Sequence, residues 1–204
     1  MSNQQTLRAY HGDPAIKAKY IDRIRAHRAA EHLTQGIGWE SDGLTRGCAV
    51  GCTLENYDHS LYPIELGLPE WLAHLEDCIF EGLPTDLAQA WPESFLEAIT
   101  PGVDVEVVLH RLAMRRMDRL IALQTSLLGK HPDRVEDAIK LTIASLHQVR
   151  ACHEAEAGGN ICDMRSAAES AAESAAWSAA WSDHCKWEAE TLLALLRNAP
   201  QATE

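Results

Sequence analysis

Cys48 and Cys52 stand four residues apart in Gly47-Cys48-Ala49-Val50-Gly51-Cys52-Thr53, with His59 and Glu65 close behind. Those residue types can do three kinds of chemistry. Two thiolates and an imidazole are soft ligands, and His27 or His32 would complete a tetrahedral zinc site around Cys48, Cys52 and His59. Alternatively, Cys48 or Cys52 attacks a substrate, His59 or His27 accepts the thiol proton and Glu65 orients the imidazole. The third reading is structural: the cysteines fill space as small apolar side chains while Gly47 and Gly51 shape a turn. Types and spacing alone do not choose among the three.

A second group follows on the segment PEWLAHLEDCIFEG. His74, Asp77 and Glu81 fall at helical spacing on one polar face, with Glu76 beside them, and could bind a ligand or a hard cation or exchange protons. A solvated helix face is the default reading of these charges. The Glu-x-x-His pair that ferritin-like di-metal sites place on two helices is absent. His110, His131, His147, His153 and His184 are scattered, although Cys152-His153, Cys162-Asp163 and His184-Cys185 could make a second metal site across the last two helices.

The elements that must position these groups read as helices. Apolar residues make up 46% of 204 and charged residues 24%, values of an ordinary globular chain, and abundant alanine favours an all-α fold. Asp13-Pro14 supplies an N-cap and a first-turn proline for a helix whose apolar residues Ile16, Tyr20, Ile21 and Ile24 run on toward Gly36 and Gly38. Residues 36–62 lack either period and read as a long ordered loop carrying the cysteine motif. Pro69 opens the next helix, with Trp71, Leu75, Cys78 and Ile79 as its apolar face, and a shorter one over 86–99 is interrupted at Trp91-Pro92.

Thr100-Pro101-Gly102 divides the chain into a helical region with the Cys/His loop, residues 1–100, and a bundle of three long helices, residues 101–204. The expected helices span about 104–128, 133–157 and 163–197. The last carries four tetrads, SAAE, SAAE, SAAW and SAAW, from Ser166 to Trp181. Each repeat step rotates its residues about 40° around the axis, so the stripes of small residues wind around the helix. That pattern suits close packing or homo-oligomerisation, with Trp177 and Trp181 as an anchor.

A formal charge of −12 argues against direct nucleic-acid binding, which draws on lysine and arginine to displace counterions. No window is long and apolar enough for a membrane span, and the N-terminal residues lack a secretory core, so a cytoplasmic protein with mostly reduced cysteines is expected.

The strings YHGDPAIKAKYIDRIRAHRAAE, GCAVGCTL, DHSLYPIELGLPEWLAHLEDCIFEGLP and WPESFLEAI resemble a family of hypothetical proteins from tailed bacteriophages and prophages. The resemblance covers the first half of the chain closely and the tail in style. It implies a viral accessory protein in the bacterial cytoplasm; together with the acidic surface and the absence of a catalytic signature, it leads to the expectation of a protein that binds a host protein or a small molecule, in the manner of a counter-defence factor. It transfers no catalytic residue. A hydrolase or transferase centred on the Cys/His loop, with or without zinc, and a structural helical oligomer are the other expectations.

Overall fold

A computed structural model describes residues 7–160 and 181–202. They fall into two compact units: one of residues 7–106 with 181–202, the other of residues 107–160. The division falls between residues 106 and 107, and the C-terminal helix belongs with the first unit, whereas the sequence pattern groups it with residues 101–204. All but the last residue of the tetrad repeat lie outside the described residues.

The first unit begins with α1, Pro14–Ala29, where Asp13 Oδ1 accepts a hydrogen bond from Ala15 N at 2.8 Å and Pro14 occupies the first turn. Tyr20, Ile21, Ile24 and His27 form its buried face. The helix stops well before Gly36 because the chain turns at Glu31, which takes a left-handed conformation (φ 59°).

Residues 36–62 are not a loop throughout. Two short antiparallel strands, β1 (Trp39–Glu40) and β2 (Arg46–Gly47), pair with Trp39 opposite Gly47. They lead into α2, Ala49–Leu54, whose first five residues are all buried. After a 3-10 turn at His59–Leu61 come α3 (Tyr62–Glu65) and α4 (Glu70–Gly82). α5 (Thr85–Ala88) and α6 (Trp91–Ala98) are the two pieces that Trp91-Pro92 was expected to separate.

Packing is centred on these short helices. α1 lies against α6 and α2, and α2 lies against α4. The C-terminal helix, which we number α9 (Trp181–Arg197), packs on α4 and α6 through its buried Cys185, Ala189, Leu192 and Leu196. Tyr10, Tyr20, Tyr62, Phe80 and Phe95 fill the core. Beyond α9 the chain bridges back: Val103 pairs with Gln201, Asp104 N donates to Pro200 O at 2.7 Å and Ala202 N donates to Gly102 O at 3.0 Å.

α4 differs from its expected orientation. Cys78 is exposed, whereas Leu72, Ala73, Glu76, Asp77, Ile79 and Phe80 are buried. Its C-terminal carbonyls are held by a clasp from residue 35: the Gln35 amide donates to Phe80 O at 2.7 Å and to Leu83 O at 2.8 Å, while Gly36 N donates to Glu81 Oε2 at 2.8 Å. These bonds occupy carbonyls that a helix end leaves without intrahelical partners.

In the second unit, α7 (Glu106–Leu127) and α8 (Asp133–Ala157) are joined by a turn at Gly129 (φ 77°). The Glu136 carboxylate accepts from Gly129 N at 2.8 Å and from His131 N at 3.2 Å, fixing the connection. Arg150 on α8 bonds Asp118 on α7 at 2.6 Å and Glu154 at 3.1 Å. Buried apolar positions are Val108, Leu112 and Met117 on α7 with Ile139 and Leu146 on α8. Among the described residues, no helix is long and apolar enough to cross a membrane.

Cys48, Cys52, Cys78 and Cys185 are not disulfide-bonded, whereas Cys152 is, one exception within the expectation of mostly reduced cysteines.

Candidate functional site

The cysteine motif is buried in the first unit, with Cys48 beside the carboxylate of a polar cluster. Cys48 caps α2: its Sγ accepts from Gly51 N at 3.4 Å, and its own N–H donates to Gly38 O at 3.1 Å. Cys52, one turn further on, points its thiol at Gly47 O (3.4 Å) and at the backbone carbonyl of His32 (3.9 Å). The glycines admit the backbone of Gly38. A Cβ at Gly51 would overlap the Gly38 carbonyl outright, and one at Gly47 would lie 2.8 Å from the same oxygen and from the Trp39 ring.

Burial raises both thiols, Cys52 to about 12 and Cys48 further, because the Asp77 carboxylate beside Cys48 adds to the effect of burial. A thiol held protonated is neither a nucleophile nor a ready ligand. Cys48 and Cys52 should therefore resist alkylation by iodoacetamide in the native chain at pH 8 and react only on unfolding, as mass mapping of the labelled peptides would report. Rapid native labelling of either would contradict this placement.

The remaining candidates separate into three places. His27 and His32 meet each other, Nδ1 to Nδ1 at 3.0 Å, and His27 Nε2 lies 3.5 Å from Glu55. Glu65 accepts from Tyr20 OH at 2.5 Å and lies 3.9 Å from Lys19 Nζ, so it is engaged by α1 instead of orienting an imidazole. His59 stacks on His74, ring centroids 4.1 Å apart and planes within 10°. Among the described residues, no three of Cys48, Cys52, His59, His27 and His32 bring ligand atoms within 4.8 Å of one another. The reason is local: α2 turns one thiol toward Asp77 and the other toward backbone carbonyls.

What converges is a cluster around Asp77. Tyr57 OH donates to Asp77 Oδ2 at 3.0 Å, and His59 Nε2 lies 3.6 Å from the same oxygen. That second distance is an electrostatic contact, too long for a hydrogen bond. The Tyr57 ring meets His59 edge-on at 4.9 Å. Burial, then the neighbouring His74, lowers the pKa of His59 and favours its neutral form, while burial and the bond to Asp77 push Tyr57 up to about 12. His74 and Tyr57 are exposed at the surface, and His59 and Asp77 lie beneath them. Glu81 flanks the group but is used in the residue 35–36 clasp.

Behind Asp77 sits Glu76, with no exposed surface. Tyr62 OH donates to its Oε2, and burial raises its carboxyl to about 8. Among the described residues, four buried polar atoms here make no hydrogen bond: Thr53 Oγ1, His59 Nε2, Glu76 Oε1 and Asp77 Oδ1. Tyr57, Tyr62 and Thr53 were not singled out from the sequence. The only signal for Tyr57 was its place two residues before His59 in the stretch already marked for chemistry.

Compared with family models, with curated proteins and with solved structures, the chain matches none.

Proposed function

We propose that the chain is a ligand-binding accessory protein, of the kind the resemblance to phage and prophage proteins implies, acting in the bacterial cytoplasm. Its ligand site is the Tyr57, His59, His74 and Asp77 cluster of the first unit. The observation that carries this reading is a pair of buried atoms on neighbouring side chains, His59 Nε2 and Asp77 Oδ1, that make no hydrogen bond among the described residues. Buried polar groups are almost always paired, since leaving one unpaired costs about 1–3 kcal/mol, so two together mark where a partner docks.

The chemistry of the pair defines the ligand. Asp77 accepts, the neutral imidazole of His59 accepts or donates through Nε2, and Tyr57 and His74 offer exposed rings at the rim. A small molecule carrying an amine, amide or guanidine beside a flat group fits that set. Where the ligand is a substrate, the same imidazole exchanges its proton; attack by a thiol is disfavoured because burial keeps Cys48 and Cys52 protonated.

The test is a thermal-shift and calorimetry panel of nucleotides, free amino acids and polyamines against the full chain. At least one compound should raise Tm by several degrees, and Asp77→Asn should abolish that shift while keeping the native circular dichroism. If no member of the panel raises Tm, or if Asp77→Asn binds as well as the native chain, the reading is wrong.

A further inference from the structure

The second unit holds a group of side chains that the first unit's chemistry does not touch. His110 on α7 faces His153 and Glu156 on α8. His110 Nδ1 lies 3.2 Å from His153 Nδ1 and 3.3 Å from Glu156 Oε2. All three donor atoms fall within 4.8 Å of one another, the only such trio among the described residues. The side chains of His110 and Glu156 are only 18% and 15% exposed.

We propose that His110, His153 and Glu156 form a binding site for one divalent transition-metal ion, with zinc as the first candidate. Spacing along the helix brings two of the ligands together: His153 and Glu156 are i and i+3, so they project from one face of α8. Geometry fits the third. With ligand bonds of about 2.0–2.1 Å, the edges of a tetrahedron around zinc are roughly 3.3–3.4 Å, and those of an octahedron about 2.9 Å. Separations of 3.2 and 3.3 Å lie between these values, so the donors are already spaced as two edges of a coordination polyhedron.

The donor chemistry agrees. Two imidazoles and one carboxylate suit zinc and its neighbours in the first transition row more than calcium or magnesium, which prefer oxygen. Both rings would ligate through Nδ1 and carry their proton on Nε2. Cys152, next to His153 in the chain, is disulfide-bonded and offers no thiolate, so the set is nitrogen and oxygen only. Three protein ligands leave a fourth position for water or an exogenous group.

The competing explanation is an N–H···N hydrogen bond between the imidazoles with an ion pair to Glu156, which has the same distances. Zinc titration of the full, untagged, chelator-stripped chain by calorimetry separates the two. The expected result is saturation at about one ion per chain, weakened at least tenfold in His110→Ala and in Glu156→Gln and unchanged in Cys52→Ser. Cobalt in place of zinc should give ligand-field bands without a thiolate charge-transfer band. Absence of saturable binding overturns the proposal. So does binding that survives His110→Ala and His153→Ala, or that is lost on changing Cys48 or Cys52. None of these outcomes bears on the ligand site of the first unit, whose residues are not shared.

Discussion

Gly51→Ala should destabilise the chain by about 3 kcal/mol, the upper end of what overpacking a close-packed core costs. The added methyl would collide with the Gly38 carbonyl, which is itself fixed by the hydrogen bond from Cys48 N. Backbone on both sides leaves nothing flexible to give way. In a chain of this size the loss corresponds to a fall in Tm of roughly 10 °C. Cys48→Ala removes a weak sulfur acceptor at the start of α2 and the thiol's contact with the Asp77 carboxylate, and should cost about 1 kcal/mol. Comparing the two variants by thermal unfolding tests whether the glycines, and not the thiols, are the structural content of the motif; a smaller effect for Gly51→Ala than for Cys48→Ala would refute that.

The second large effect is a pH dependence set by Glu76. In the folded chain its buried carboxyl keeps a proton until about pH 8, whereas an ordinary carboxyl releases it near 4.5. Between those values the folded state binds more protons than the unfolded state, so raising the pH favours unfolding. The contribution of Glu76 is intact below about 4.5 and declines by up to about 1.4 kcal/mol per pH unit as the pH approaches 8. Glu76→Gln keeps the shape and an acceptor for Tyr62 OH but cannot ionise. Its stability, measured by urea unfolding across pH 5–8, should be flatter than that of the native chain and should exceed it at pH 8. Parallel profiles for the two proteins would show that Glu76 does not titrate in this window.

Both effects lie where the sequence was hardest to read. The long helices were legible from their punctuation: Asp13-Pro14 opens α1, Pro132 precedes α8, and the apolar period continues between. α2 was missed because Ala49–Thr53 is buried throughout, and a short helix buried all round has no amphipathic period to detect. The orientation of α4 was misjudged because Glu76 and Asp77 were assigned to solvent. Their cover comes from Tyr62 and Tyr57, 14 and 20 residues away, and such long-range pairing leaves no local trace. Asp77 and His59 were both named as candidates, but Asp77, not Glu65, is the carboxylate beside the imidazole. His110 and His153 are 43 residues apart, and only the register of the α7 and α8 pair brings them together.

The position of α9 also fixes an order of events at the ribosome. Residues 181–202 complete the first unit by covering α4 and α6 and by pairing with residues 102–104. The Asp77 cluster sits on and around α4, so its scaffold is synthesised early but is not covered until residues 181–202 have emerged. The α7 and α8 pair needs only a short connection and is free to form first. During that interval the apolar surfaces of α4 and α6 that α9 later covers are exposed to other nascent chains and to chaperones. A nascent chain that has emerged through about residue 160 would therefore carry the α7 and α8 pair while α4 and α6 still lack α9.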